Sequence, residues 1–275
     1  MTDRDATTFG ARLTGVVSRY GTLCVGIDPH PGLLAEWGLT DDPDGLERFA
    51  MTCVDALAGH VAVVKPQSAF FERHGSGGIA VLERVLAALA PSPTLTLLDA
   101  KRGDIGSTMD GYADAYLAIG APLGADALTL SPYLGFGSLT PALDAAADAG
   151  RGAFVLARTS NPEGGEVQLA EWAGRGVGQR VVDAAAARNA GAEPLGDVGV
   201  VVGATIDHGL DLSTLNGAVL APGLGAQGAG PADVRARFAD LHGIVLPAAA
   251  RSVLAAGPDR SALRSAAEKL RDELS

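Results

Sequence analysis

The stretch TLTLLDAKRGDIGST, residues 94–108, joins a short uncharged run to a dense group of charges. Its first five residues are threonine or leucine, so a strand built from them carries no charge on either face. This is typical of a parallel strand covered by helices. Asp99, Lys101 and Asp104 follow within six residues. Polar residues directly after such a strand mark the end of an α/β barrel at which binding and catalysis occur.

Seven similar runs recur along the chain, separated by alanine-rich stretches with helical spacing such as residues 79–90 and 138–150. Eight strand–helix pairs favour a closed (β/α)₈ barrel over an open sheet. We expect a single α/β barrel domain over residues 1–275, with the residues before Thr22 forming a helix that caps the bottom of the barrel. The other seven predicted strands are TLCVGI (22–27), VAVV (61–64), DALTL (126–130), GAFVLA (152–157), VGVVVG (198–203), AVLA (218–221) and GIVLPA (243–248).

Composition and charge exclude several classes of protein. The formal net charge of −11 argues against a nucleic-acid partner, because phosphate backbones bind basic surfaces. The uncharged run after Asp211 is interrupted by Gly, Pro, Asn and Gln, so it predicts no membrane helix. The first residues lack the apolar stretch of a signal peptide, and Cys24 and Cys53 are predicted to be buried free thiols. We therefore expect a cytoplasmic protein without a membrane or nucleic-acid partner.

Charged side chains converge at the predicted strand ends. Residues two apart on a strand share a face, so Asp99 and Lys101 are both expected to point into the barrel mouth. With Lys65 and Asp104 they form a series of alternating charges that would keep a lysine protonated. A purely structural ion-pair network is one alternative, although buried ion pairs stabilise proteins poorly. A Mg²⁺ site made of Asp28, Asp99 and Asp104 is another, but the interleaved lysines would compete with a cation, and we expect no metal.

A glycine-rich loop follows the seventh predicted strand. This loop, PGLGAQG at residues 222–228, exposes backbone N–H groups without obstruction by side chains. Arg251 follows the eighth strand, next to the loop in a closed barrel, and a guanidinium can grip a phosphate with two hydrogen bonds. The loop and Arg251 therefore predict a phosphate site, with an ordinary flexible loop as the alternative interpretation.

Seven segments at or near the predicted strand ends are GIDPHP (26–31), KPQSAFFE (65–72), LLDAKRGDIGST (97–108), SPYLG (131–135), TSNPEG (159–164), PGLGAQG (222–228) and AARS (249–252). Together they resemble the orotidine 5′-monophosphate decarboxylase family, and in particular its longer bacterial branch (type 2). The resemblance covers nearly the whole chain and implies decarboxylation of orotidine 5′-monophosphate to UMP and CO₂, the last step of de novo UMP biosynthesis, without a cofactor.

The resemblance also implies a role for individual residues in catalysis. Lys101 would donate the proton to C6 of the pyrimidine, and Asp99 would face the carboxylate of the substrate. Lys65 and Asp28 would contact ribose hydroxyls and join the chain of charges. Asp104 and Thr108 would reach into the site of a neighbouring subunit, which implies a homodimer with shared active sites.

The remaining roles concern the base and the phosphate. Ser160 would contact the base, Gln227 and Arg251 would hold the phosphate, and Pro222 and Gly225 would shape the phosphate loop. Two other functions stay open at this point. One is a Mg²⁺-dependent sugar-phosphate decarboxylase or aldolase of the same superfamily, and the other is a non-catalytic phosphate-binding barrel. The sequence does not assign roles to Glu72, Arg73, Arg102 and His30.

Overall fold

Eight parallel strands close into a barrel, as the sequence predicts. The computed structural model describes residues 7–225 and 228–274. The predicted apolar runs coincide with the eight barrel strands, which confirms the (β/α)₈ fold. The barrel strands are β1 (Cys24–Ile27), β2 (Val63–Pro66), β3 (Leu95–Arg102), β4 (Ala127–Leu130), β5 (Gly152–Arg158), β8 (Val198–Val202), β9 (Val219–Pro222) and β10 (Val245–Ala249). Their order around the barrel is β1-β10-β9-β8-β5-β4-β3-β2, with β1 pairing with β10.

Helices cover the outside of the barrel and bury the outer faces of the strands. Gly150 and Gly191 adopt positive φ angles just after α7 and α9, where the sequence places helix stops. The helices are α1 (Phe9–Tyr20), α2 (Pro31–Glu36), α3 (Pro43–Leu57), α4 (Ser68–Glu72), α5 (Gly75–Leu89), α6 (Gly106–Tyr116), α7 (Thr140–Asp148), α8 (Gly164–Gln168), α9 (Val177–Arg188), α10 (Pro231–Arg237), α11 (Arg251–Leu254) and α12 (Arg260–Leu274).

The predicted N-terminal helix α1 closes the amino-terminal end of the barrel. Phe9 packs edge-on against Phe154, with ring centroids 6.0 Å apart. The Arg12 guanidinium contacts the Asp126 carboxylate at 2.5 Å, and the N–H of Gly10 donates to Asp197 Oδ1 at 2.8 Å. With this end capped by packed and hydrogen-bonded groups, a ligand has access from the carboxyl ends of the strands.

Two connections differ from the simple alternation that the sequence predicts. Residues 203–218, all of them described, join β8 to β9 without a helix, because Gly, Asp, Ser and Asn interrupt any helical pattern there. The connection after β5 carries a small antiparallel hairpin, β6 (Glu171–Trp172) and β7 (Arg175–Gly176), outside the barrel. Both connections begin at the carboxyl ends of the strands, where loop variation is compatible with an intact barrel.

Two further predictions concern the cysteines and membrane-spanning helices. Cys24 and Cys53 are free and buried, as expected, and burial raises the pKa of the Cys24 thiol to about 12. Within the described residues, every helix is too short or too polar to cross a membrane.

Candidate active site

A lysine–aspartate–lysine cluster lies at the carboxyl ends of β2 and β3. Lys65 Nζ donates to Asp99 Oδ2 at 3.0 Å, and Lys101 Nζ donates to Asp99 Oδ1 at 2.6 Å. Lys65 and Asp99 are buried, whereas the Lys101 side chain is 46% exposed. One carboxylate therefore holds two ammonium groups, one in the wall of the barrel and one at its mouth.

The cluster keeps Lys65 and Asp99 charged. Burial lowers the pKa of Lys65, but the neighbouring carboxylates of Asp99 and Asp28 raise it by more, and the net shift is upward. Burial raises the pKa of Asp99, yet the positive charges of Lys65 and Lys101 and their hydrogen bonds lower it to a value well below the ordinary range. At neutral pH the structure therefore favours a carboxylate between two cations.

Asp28 directly follows β1 and lies close enough to Lys65 for their charges to interact. Its Oδ1 atom is buried and has no hydrogen-bond partner among the described residues. Burial raises the pKa of Asp28, Lys65 opposes that rise, and Asp99 adds to it. An unsatisfied carboxylate oxygen costs free energy, and a ligand hydroxyl can satisfy it.

The carboxyl end of β3 is irregular, which corrects one step of the sequence reasoning. Leu98 pairs with Leu128 of β4 and Arg102 pairs with Leu130, so three residues of β3 lie opposite one residue of β4. Lys101 has φ 49°, in the left-handed region. Asp99 and Lys101 both lie at the barrel mouth, as expected, but regular strand alternation is not the reason, because a bulge brings their side chains into contact.

Two adjacent cavities open at this end of the barrel, each with a volume of about 310 Å³. They share Asp28, Lys65 and Pro222, so the buried lysine lies where they meet. The first cavity is lined by Gln67, Asp99, Lys101, Thr129, Leu156, Thr159, Ser160, Asn161, Val201, Gly203 and Leu220. The second is lined by Gly26, His30, Leu33, Phe70, Gly223, Leu224, Ala248, Ala249, Ala250 and Arg251.

The predicted base and phosphate residues fall on different cavities. Ser160 lines the first cavity, and Arg251, the first residue of α11, lines the second. Pro222 contributes to both. Gly225 has φ 77°, the left-handed conformation that a glycine adopts readily, in the loop after β9. Gln227 lies outside the described residues.

Asp104 and Thr108 are not among the described residues that line either cavity. Asp104 Oδ1 accepts from the N–H of Ile105 at 2.8 Å, just before α6. Thr108 is exposed on the first turn of α6, and Ile105 beside it is 61% exposed. These two residues therefore lie after the end of β3, outside the described linings of both cavities.

Two polar residues that the sequence reasoning did not select contact Asp99. Gln67 Nε2 donates to Asp99 Oδ2 at 3.2 Å, and Thr129 Oγ1 donates to Asp99 Oδ1 at 2.9 Å. Thr129 is the single polar residue of β4, a strand with sequence ALTL. A polar side chain inside an otherwise aliphatic strand is a signal that reading only the strand ends passes over.

Glu72, Arg73 and Arg102, which have no assigned role, form ion pairs, and His30, the fourth such residue, lies in a cavity wall. Arg102 contacts Glu72 and also donates to the carbonyl of Ala100 at 3.1 Å, which ties α4 to the end of β3. Arg73 pairs with Asp41 away from the cluster. His30 Nδ1 accepts from the N–H of Gly32 at 3.1 Å at the start of α2, in the wall of the second cavity.

The fold and the site define a (β/α)₈-barrel protein with a lysine–aspartate–lysine cluster at the carboxyl ends of its strands. The family model described as "Orotidine 5'-phosphate decarboxylase / HUMPS family" matches residues 21–266. The chain belongs to this family.

Individual relatives agree with this assignment along nearly the full chain. Orotidine 5'-phosphate decarboxylase of Salinispora arenicola is 61% identical over 264 residues, covering 95% of each chain. The Streptomyces coelicolor protein of the same name is 56% identical over 271 residues, covering 97% of this chain and 96% of its own. A solved chain from Streptomyces avermitilis superposes with a TM-score of 0.94 at 55% identity, covering 98% of this chain and 95% of that one.

Proposed function

We propose that this protein decarboxylates orotidine 5′-monophosphate to UMP and CO₂, the last step of de novo UMP biosynthesis. The observation that carries the proposal is the placement of Asp99 between Lys65 and Lys101 at the barrel mouth. The family assignment and the names of the relatives support it.

The chemistry requires stabilisation of a localised negative charge. When the bond between C6 and the carboxylate breaks, CO₂ leaves and its electron pair stays on C6, which has no adjacent carbonyl positioned to delocalise it. Lys101 Nζ supplies the proton that forms the C6–H bond, and the lysine then regains a proton from solvent. A fixed ammonium stabilises the developing charge at low reorganisation cost.

The magnitude of this electrostatic effect is substantial. At about 4 Å and an effective dielectric constant of about 20, one pair of unit charges is worth about 4 kcal/mol. Asp99 holds the Lys101 ammonium in place, and its own charge lies next to the carboxylate that leaves as neutral CO₂. Asp99 and Lys101 together therefore disfavour the charge distribution of the substrate and favour that of the transition state.

The two cavities match the two ends of the nucleotide. The base would occupy the first cavity, where Ser160 contacts it and Lys101 faces C6. The phosphate would occupy the second cavity and bind Arg251 and the loop after β9, including Gln227, with Pro222 and Gly225 shaping that loop. Asp28 and Lys65, shared by both cavities, would bind the ribose hydroxyls between them.

The proposal includes a homodimer of single-domain subunits, in the cytoplasm, with shared active sites. Asp104 and Thr108 would complete the site of the neighbouring subunit. Their position outside both cavities of their own subunit, next to the exposed Ile105, supports this role.

The test follows the ultraviolet absorbance of orotidine 5′-monophosphate with purified protein, with and without EDTA. We expect conversion to UMP at the same rate in both conditions. A matched sample with a sugar phosphate and Mg²⁺ tests the metal-dependent alternative. Loss of activity in EDTA, or turnover of the sugar phosphate alone, would reject the proposed reaction, and nucleotide binding without turnover would point to a non-catalytic barrel.

A further inference from the structure

Thr129 occupies an unusual place in the barrel. It lies in β4, whose other residues are Ala127, Leu128 and Leu130, and it is only 1% exposed. Burying a hydroxyl in an aliphatic strand costs free energy unless its hydrogen-bonding groups are satisfied. The groups that satisfy this hydroxyl therefore show what the residue does.

All three contacts of the Thr129 hydroxyl are made with one segment of β3. The hydroxyl donates to Asp99 Oδ1 at 2.9 Å. It accepts from the backbone N–H of Ala100 at 3.0 Å and from that of Lys101 at 2.9 Å. A threonine hydroxyl has one proton and two lone pairs, so its capacity is fully used by these three bonds.

These hydrogen bonds take the place of the regular backbone hydrogen bonds between β3 and β4, which the bulge interrupts. Three residues of β3, from Asp99 to Lys101, lie opposite Thr129 alone, and the N–H groups of the last two donate to the Thr129 hydroxyl. Lys101 also has φ 49°, a conformation that is unfavourable for a residue with a β-carbon. The Thr129 hydroxyl binds the N–H of this strained residue and that of the residue before it.

We propose that Thr129 is a positioning residue that fixes both members of the Asp99–Lys101 pair. Through the two backbone amides it holds the left-handed conformation from which the Lys101 side chain enters the first cavity. Through Asp99 Oδ1, the oxygen that also accepts from Lys101 Nζ, it fixes the carboxylate that orients the ammonium. This inference rests on the proposed function, because it concerns the placement of the proton donor.

The chain contains a matched control for a purely structural role. Thr94, directly before β3, is also fully buried, and its hydroxyl donates to the carbonyl of Val61 at 2.7 Å and accepts from the N–H of Gly59 at 2.8 Å. It lies at the opposite end of the same strand, away from Asp99. Replacement of Thr94 by valine therefore removes a comparable buried hydroxyl without touching the site.

The experiment compares Thr129→Val, Thr129→Ser and Thr94→Val with the wild type in kcat, KM, thermal unfolding and binding of UMP. For Thr129→Val we expect kcat to fall by about 10- to 100-fold, the scale of a catalytic group misplaced by about 1 Å. We expect KM and the Kd of UMP to stay within about threefold, because the interaction is lost mainly in the transition state. Thr129→Ser retains the hydroxyl and should keep kcat within about threefold of the wild-type value.

Thr94→Val should lower the unfolding temperature and leave kcat unchanged. If Thr129→Val does not fold, Thr129→Ala takes its place with the same expected fall in kcat. The inference is overturned if the folded Val or Ala variant turns over at the wild-type rate, if Ser is as impaired as Val, or if Thr94→Val loses as much kcat. A wild-type protein that does not convert orotidine 5′-monophosphate overturns the proposed function as well, whereas an active wild type with an unimpaired Thr129→Val overturns only the role of Thr129.

Discussion

At the scale of single residues, Asp99 organises the site because two of the three lysines in the chain bind its two oxygens. A buried ion pair contributes little net stability, but removal of one partner leaves an uncompensated charge and costs about 3–5 kcal/mol. A contribution to stability therefore does not explain this buried cluster, whereas a role in chemistry does. Asp28 adds a further cost, since its Oδ1 atom lacks a hydrogen-bond partner among the described residues.

The charge of Asp28 should therefore destabilise the folded protein at neutral pH. Burial raises its folded-state pKa above the unfolded value of about 3.9, so the carboxylate costs folding free energy as the pH rises through the folded-state pKa. We predict that Asp28→Asn raises the unfolding temperature at pH 7 while it lowers activity. Each kcal/mol gained in the free energy of unfolding should raise the unfolding temperature by about 2–4 °C in a chain of this size.

Thermal unfolding over a pH series tests this prediction. The difference in unfolding temperature between Asp28→Asn and the wild type should shrink toward pH values below about 3.9, where the wild-type carboxyl is protonated in both the folded and the unfolded state. Asp240→Asn, in an exposed loop, serves as the control and should change the unfolding temperature little. A lower unfolding temperature for Asp28→Asn at pH 7 would mean that the electrostatic attraction between Asp28 and Lys65 outweighs the cost of burial.

At the scale of elements, the sequence predicts each barrel strand and the capping helix but does not predict the bulge in β3. Continuous apolar runs indicate these strands because both of their faces are buried, and polar residues after them mark the mouth. The N–H groups of Ala100 and Lys101 in the bulge donate to the hydroxyl of Thr129, 28 positions from Lys101 in sequence, so no local pattern around Lys101 indicates the bulge. The absence of a helix at residues 203–218 can be predicted from the sequence, because Gly, Asp and Asn interrupt any helical pattern there.

Helix α1 provides a pair of substitutions with opposite expected signs. A β-carbon on Gly10 would lie 1.9 Å from the carbonyl oxygen of Leu195, so Gly10→Ala forces α1 away from the barrel bottom. We predict a loss of about 1–3 kcal/mol in the free energy of unfolding, as for other overpacked sites. Gly15 lies on the same helix with nothing within 4 Å of such a β-carbon, and Gly15→Ala should gain about 0.5–1 kcal/mol.

Urea unfolding of the two variants gives both values against the wild type. Equal effects for Gly10→Ala and Gly15→Ala would contradict the tight docking of α1. Because α1 lies at the end of the barrel opposite the site, kcat per folded protein should be unchanged in both variants.

At the scale of the whole molecule, a chain with net charge −11 concentrates positive charge where an anionic nucleotide would bind. Lys65 lines both cavities, Lys101 the first and Arg251 the second, and these three cations outnumber the two carboxylates in the same linings, Asp28 and Asp99. The overall charge disfavours nucleic acids, whereas this local group of cations favours a small anion. The residues outside both cavities, Asp104 and Thr108, are the part of the proposal that requires a second subunit.

Mixing two inactive variants tests the shared active site. Lys101→Ala and Asp104→Ala should each be nearly inactive alone. After the subunits are exchanged, half of the dimers are mixed and each mixed dimer has one intact site, so activity should return to about a quarter of the wild-type value. No recovery in a mixture shown by mass to contain mixed dimers would place Asp104 in the site of its own subunit.

The most direct test of the central claim, that the Lys65–Asp99–Lys101 cluster decarboxylates the nucleotide, is the turnover of orotidine 5′-monophosphate by Lys101→Ala. Lys269→Ala is the matched control, because Lys269 is the remaining lysine and is exposed on α12. We predict that Lys101→Ala loses turnover while calorimetry shows that it still binds UMP, and that Lys269→Ala equals the wild type. Appreciable turnover by folded Lys101→Ala would contradict the assignment of Lys101 as the proton donor.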